Sequence, residues 1–382
     1  MEHRFLMNKK YGFKSYNSWD PLKKCLIGNV YDKGFFEVYP DAEIGDALEK
    51  VNEDTREDIT NLKNVLEDAG VETVQTPSTV MTNAKVPLTD INIFMEHTKE
   101  DKDGNITDGL LTKPLIAPRD EFIVFGEKMY NCSTTPMYDL WGPWQGCEDY
   151  MHVRTETDFD HHIEPPSIMR AGKDIQVDIS FHNGETKQFA EKWLPKHCPE
   201  YRINTIEMGG HSDSVICLVK PGLLISHTKI SNYEETYPGW DVIYVEKPED
   251  EYTEAYWKYR NSLPNVVSWW IKGEEDNKKL SKFISNWMNT GQVYETHFNV
   301  NCLGIDENTL VCNYYDKELA DKLKKYNVEL VETPMRHRHF WDCGVHCATV
   351  DLYREGEMQD YFPERTSGQN FGKIWGNNET RR

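Results

Sequence analysis

The chain has 382 residues, ample for a buried core, and a formal net charge of −21 that argues against nucleic acid as a partner, because no basic face offsets it. Hydrophobic residues make up 38%, with 20 Tyr and 11 Trp, which is the composition of an aromatic-rich globular protein and not of a disordered chain. No apolar run approaches the ~20 residues that span a bilayer, the N-terminal stretch lacks the apolar core of a signal peptide, and nine scattered cysteines then read as reduced thiols of a cytoplasmic protein.

In chain order, Trp19-Asp20-Pro21-Leu22 leads into an apolar run, Cys25 to Tyr31, that predicts a first strand. Over residues 45–69, Ile59, Leu62, Val65 and Leu66 fall on one helical face. Gly70 is placed to end that helix, and Val71 to Val74 alternates as a strand. Residues 99–108 resemble a calcium loop but misplace its glycine and lack the closing Glu, so a solvated hairpin turn is expected. Further strands are expected at Glu121–Phe125, Ile175–Ile179, Val215–Val219, Leu223–Ser226, Asp241–Val245 and Thr309–Cys312, with helices over 187–194, 251–260 and 277–289.

One segment repeats. Leu66 to Pro77 aligns without a gap on Leu323 to Pro334, sharing a Val-Glu-x-Val-x-Thr-Pro rhythm, with Asn327 standing for Gly70. Both residues tolerate the left-handed conformation of a helix end. A helix closing into the same strand near both ends predicts repeated αβ units. No Pro/Gly/Ser linker divides the chain, so residues 1–382 read as one domain.

Four stretches set polar groups against buried-looking strands. Asp120 precedes the strand at 121, Glu164 opens Glu164-Pro165-Pro166-Ser167, and His211-Ser212-Asp213 leads into the strand at 215. Near the other end, Cys343-Gly344-Val345-His346-Cys347 opens into the alternating run Ala348 to Tyr353. Taken singly these are a loop cap, a turn, a loop histidine and two core cysteines. On a strand, His211 and Asp213 would share a face. His152, Asp160, His161 and His162 fit no closed zinc spacing, so no metal is expected. As a set, Cys347, His211, Glu164, Asp120 and Asp213 suit covalent catalysis, with a thiolate, a histidine and an orienting carboxylate. Two further carboxylates suit a guanidinium, whose fork of donors they bind bidentately.

The chain resembles the glycine amidinotransferase family within the guanidino-group-modifying superfamily. The resemblance runs through Asn17-Ser18-Trp19-Asp20-Pro21-Leu22, Pro118-Arg119-Asp120, Ile168 to Asp174, His211-Ser212-Asp213 with Lys220-Pro221-Gly222-Leu223, and Gly344 to Thr349. It implies an α/β fold, a five-bladed α/β propeller (pentein) of pseudo-fivefold ββαβ modules around a central pocket, in a homodimer that needs no cofactor. It further implies Cys347 as nucleophile, His211 as acid and base, and Asp120 and Asp213 as guanidinium-binding aspartates. Glu164 occupies the position of the family's His-orienting aspartate, and Lys229 and Ile230 fall where the transferases carry a carboxylate-gripping arginine. The activity implied is transfer of the amidino group of L-arginine to an amine such as glycine. The alternatives are a guanidino hydrolase of the deiminase or dihydrolase type, favoured by glutamate at 164, and a non-catalytic guanidino-binding protein. The basic run Arg336 to His339 is read as a possible contact for an anionic acceptor.

Overall fold

The computed structural model describes residues 11–39, 41–76, 99–100, 106–108, 116–132, 150–152, 165–180, 185–208, 211–226, 233–245, 271–281 and 298–373. Among the described residues, five three-stranded modules share one topology, in which a central strand pairs antiparallel on one side and parallel on the other. In the first, β1 (Leu22–Ile27) lies between β17 (Thr349–Arg354) and β2 (Glu72–Gln75), so the two ends of the sequence meet in one sheet. The second joins β5 (Phe122–Phe125), β6 (Lys128–Asn131) and β7 (Tyr150–His152). The third joins β8 (Ile168–Ala171), β9 (Asp174–Asp178) and β10 (Arg202–Glu207), with β18 (Asn370–Lys373) added at its edge. The fourth joins β11 (Ile216–Lys220), β12 (Leu223–Ser226) and β13 (Asp241–Tyr244), and the fifth β14 (Leu303–Asp306), β15 (Thr309–Cys312) and β16 (Glu329–Glu332). A separate hairpin, β3 (Lys99–Glu100) with β4 (Ile106–Asp108), stands where the hairpin turn is expected.

The repeat read in the sequence is present bond for bond. Helix α1 (Ala42–Asp68) ends at Gly70, whose φ is 82°, and the helix Lys317–Leu323 runs through a 3-10 turn to Asn327, whose φ is 57°. Val71 N donates to Leu66 O at 2.9 Å, and Val328 N to Leu323 O at 3.2 Å. Thr76 N and Thr333 N then bond Ile27 O and Cys312 O, closing the parallel strand on its neighbour in both copies. Capping and strand pairing are local chemistry, so similar residues give the same unit twice.

Boundaries differ from expectation by a few residues. The predicted helix over 187–194 is one helical run, Glu185–Gln188, Phe189–Trp193 and Leu194–His197, whose middle turn is widened to a π-helix just ahead of Pro195. Of the helix over 277–289, residues 278–281 are helical. The rest of it, and 251–260, lie outside the described residues.

The segment 14–18 ties the modules together. Lys14 pairs with Tyr353 of β17, Ser15 with Gly126 beside β5, and Asn17 with Ala171 of β8, while Ser18 Oγ donates to Leu218 O of β11 at 2.8 Å. Beneath it lies Asp351, 2% exposed. Its carboxylate accepts Arg119 Nη2 at 3.0 Å, Arg170 Nη2 at 2.6 Å, Arg354 Nε at 3.0 Å and Ser15 Oγ at 2.7 Å. Arg354 also reaches Gly304 O of β14 at 2.9 Å. All three guanidinium groups are buried, so each satisfied donor matters.

Two residues of the basic run Arg336 to His339, Arg336 and His337, pair with acidic groups of α1 and so have a structural role. Arg336 Nε and N donate to Asp58 Oδ1 and Oδ2 at 2.8 and 2.7 Å, and its Nη atoms reach Asp54 and Glu57, all on α1. His337 Nε2 meets Asp54 Oδ2 at 3.0 Å, and Trp341 Nε1 donates to Thr55 Oγ1 at 2.9 Å. This polar dock explains why Thr55 and Asp58 are buried on a largely apolar helix face, while buried Asn52 donates to Tyr31 O at 3.3 Å.

Burial alone would raise the Asp351 carboxyl, but Arg170, Arg354 and Arg119, with the Ser15 hydroxyl, hold it well below the ordinary carboxylate value. A carboxyl depressed in this way contributes stability in full above its unfolded value and loses it only as pH falls toward the folded one. Asp351→Asn is expected to cost about 3–5 kcal/mol at neutral pH, with the gap to wild type in urea unfolding narrowing only below about pH 4. Equal urea midpoints at neutral pH would contradict this. Arg336→Ala, which strands the buried Asp58, is expected to cost about 1–3 kcal/mol and to leave the choice of acceptor amine unchanged, as read by thermal melting and by Michaelis constants across several amines.

Candidate functional site

Cys347 sits in a tight turn between the helix Arg338–Trp341 and β17. Ala348 N donates to Gly344 O at 2.9 Å, Thr349 N to His346 O at 3.1 Å, and Thr349 Oγ1 to Val345 O at 2.8 Å. The reactive-type thiol is thereby presented two residues ahead of a buried strand, as the sequence suggests, although it is only 1% exposed.

Two asparagines from the fifth module hold this turn. Asn313 Oδ1 accepts Val345 N at 2.8 Å, and its Nδ2 donates to Phe298 O at 2.7 Å and Asn301 O at 2.9 Å. Asn301 Oδ1 accepts His346 N at 2.9 Å and Cys347 N at 3.4 Å, while its Nδ2 lies 2.9 Å from Cys347 Sγ. The approach requires glycine at 344, where a Cβ would fall 2.4 Å from Asn301 Oδ1 and 2.9 Å from Asn313 Oδ1.

Asp213 faces the thiol from the 3-10 turn Ser212–Ser214. Cys347 Sγ donates to its Oδ2 at 3.4 Å, and the same oxygen accepts from His346 Nδ1 at 2.7 Å. Among the described residues, buried Asp213 Oδ1 has no hydrogen-bond partner, which leaves an acceptor for a cationic N–H. Burial would raise the Asp213 carboxyl, but His346, His211 and Arg119 together hold it below the ordinary value. Burial, with Arg119 nearby, also lowers His346, so the pair is an aspartate anion receiving a hydrogen bond from neutral imidazole. A cavity of about 60 Å³, lined among others by Arg119, Arg170, Asp213, His346, Ser18 and Gly304, runs from the arginine cluster to this pair.

Of the five residues singled out in the sequence, Cys347 and Asp213 are in direct contact. His211 immediately precedes the turn Ser212–Ser214, and its charge acts on Asp213. The alternating-strand argument for that pair does not hold, because the strand begins only at Ile216 and the turn sets the side chains instead. Asp120 ends the turn Pro118–Asp120, whose Arg119 donates through N to Cys347 O at 3.3 Å and through Nε to His346 O at 2.9 Å. Glu164, with Asp160, His161 and His162, lies outside the described residues.

Other thiols behave as packing groups. Burial pushes Cys25, Cys217 and Cys312 up to about 12 and Cys198 up to about 11, and Cys343 sits fully buried in the core beside Phe340 and Trp341. Asn301, Asn313 and His346 escaped sequence reading. The available signal was polar residues flanking short apolar strands, Asn299-Val300-Asn301 before β14 and Asn313 after β15. Gly344→Ala is expected to displace the Asn301 carboxamide and slow iodoacetamide alkylation of Cys347 about tenfold or more while the protein stays folded; wild-type alkylation rates in a folded variant would refute the cradle's role.

No family model matches the chain. It is 25% identical over 211 residues to the L-arginine:L-lysine amidinotransferase of Pseudomonas savastanoi pv. phaseolicola, a match spanning 54% of this chain and 48% of that protein, about half of each. It is 22% identical over 405 residues to the mitochondrial glycine amidinotransferase of Gallus gallus, spanning 91% of this chain and 84% of that one. Its fold is similar to SxtG, an amidinotransferase from Microseira wollei in the saxitoxin biosynthetic pathway, with TM-score 0.59 and 17% identity over 92% of this chain and 99% of that one. It is also similar to the inosamine-phosphate amidinotransferase StrB1 from Streptomyces griseus, with TM-score 0.55 and 16% identity over 91% and 99%. The five repeated modules are thus a pentein-type α/β fold, and over most of its length the chain is similar in sequence to amidinotransferases.

Proposed function

We propose that the protein is a cysteine-dependent amidinotransferase that takes the amidino group of L-arginine or a related guanidino donor and passes it to an amine. The observation that carries this reading is the contact of Cys347 Sγ with Asp213, whose second oxygen is buried without a partner among the described residues. A guanidinium whose N–H meets that oxygen would bring its carbon close to the sulfur. Asp120, on the turn packed against Cys347, is the second carboxylate proposed for the planar cation.

In the first half-reaction the Cys347 thiolate forms a bond to the guanidinium carbon. The bond from that carbon to the alkyl nitrogen then breaks, and His211 gives its proton to the departing amine, which is ornithine when arginine is the donor. The amidino group stays on sulfur. In the second half-reaction an acceptor amine attacks the same carbon, His211 takes its proton, and the thiolate leaves. Glu164 is the proposed orienting carboxylate for His211, on the strength of the sequence resemblance. Holding a flat cation against a fixed nucleophile removes much of the entropic cost of the encounter.

The relatives act on different amines, as their names state: lysine in one, glycine in another, an inosamine phosphate in a third. The acceptor is accordingly left open within the class of primary amines. Incubation with arginine and a panel of amines, with products identified by mass spectrometry, separates the possibilities. Ornithine whose formation requires an added amine, together with a guanidinylated amine, is the expected result. Citrulline formed without amine would make the protein a hydrolase. Cys347→Ala is expected to reduce either reaction by at least about 10⁴-fold, the scale seen when a covalent nucleophile is removed, and retained turnover in that variant would remove the mechanism.

A further inference from the structure

We infer that Asn301 is a positioning residue for the Cys347 sulfur, which its side-chain N–H holds in place and favours as thiolate. This rests on the reading of Cys347 as the nucleophile. The orientation of the Asn301 amide is fixed by its surroundings. Its Oδ1 faces two backbone donors, His346 N and Cys347 N, so a flipped amide would set N–H against N–H. The nitrogen must therefore point at Sγ, 2.9 Å away, and it can only donate. A sulfur accepting that bond is a better acceptor as thiolate than as thiol, because hydrogen bonds to the charged form favour it.

Several charged and titratable groups among the described residues lie around the thiol. Asp213 faces it from the turn before β11 and opposes ionisation, with His211 beside that aspartate. His346 adjoins it on its own turn, and Arg119 lies behind the same turn next to Asp120, with its guanidinium on His346 O and on Asp351 of β17. Within this set, Asn301 is the neutral donor aimed at the sulfur. The two backbone bonds on the other end of its amide keep that donor from swinging away. Asn313 anchors the same turn through Val345 N without touching Sγ, which makes it the internal control.

The test is the pH dependence of iodoacetamide alkylation at Cys347, followed on its peptide by mass spectrometry across the thiol's titration range. Asn301→Ala is expected to raise the midpoint by about one pH unit and slow alkylation about tenfold near neutral pH. The near-isosteric Asn301→Asp keeps the two backbone bonds but turns the donor into a carboxylate oxygen, and it is expected to raise the midpoint at least as far. Asn313→Ala is expected to keep the wild-type midpoint. Wild-type midpoints in folded Asn301→Ala and Asn301→Asp, or an equal shift in Asn313→Ala, would overturn the inference. Alkylation uses no guanidino donor. A shifted midpoint in a protein that turns over no arginine would therefore preserve this inference and remove the function proposed above.

Discussion

One buried carboxylate, Asp351, gathers guanidinium groups from three modules. Burying three cations beside one anion is costly unless every donor is used. The donors are spent on Asp351 and on carbonyls that belong to other parts of the fold: Val124 O, His346 O, Asp20 O and Gly304 O. A shift of any of these three modules would strand a buried charge, so the cluster fixes them relative to one another. It also reaches the candidate site directly, because Arg119 bonds both Asp351 and the backbone carbonyls of His346 and Cys347. The surplus positive charge is one of the influences that keep Asp213 ionised.

This arrangement explains how a thiol that is almost wholly buried can still face a polar site. The turn that carries Cys347 is gripped from three directions, by Asn301 and Asn313 of the fifth module, by Arg119 of the second and by Asp213 of the fourth. Each grip is a hydrogen bond to backbone or to sulfur, so the position of the nucleophile does not depend on loop packing alone. Rigid support of this kind is what a covalent mechanism asks of its first contacts.

Much of the fold was legible in the sequence because it is written in local chemistry. The helix-to-strand unit ending at Gly70 and its echo ending at Asn327 could be read from a cap residue and an alternating run. The pairing of β1 with β17 could not, since it joins residues more than 300 positions apart, as Leu22 with Arg354. Cys347 and Asp213 stood out by residue type beside apolar strands, and they meet. Asn301 did not, because a carboxamide in Asn299-Val300-Asn301 reads as loop polarity until its three partners are known. The geometry assumed for His211 and Asp213 failed for a related reason, as a 3-10 turn precedes the expected strand and sets those residues. The structural partners of Arg336 in the basic run before Cys347 were not legible either, because its acidic neighbours sit on α1, far away in sequence.

The central claim is that Cys347 carries the amidino group between donor and acceptor. The most direct measurement is to mix the protein with L-arginine labelled at the guanidino carbon, quench, digest, and locate the label by mass spectrometry. The account predicts label on the peptide containing Cys347, discharged when an acceptor amine is added. Turnover of arginine with no label on that cysteine at any time would contradict it.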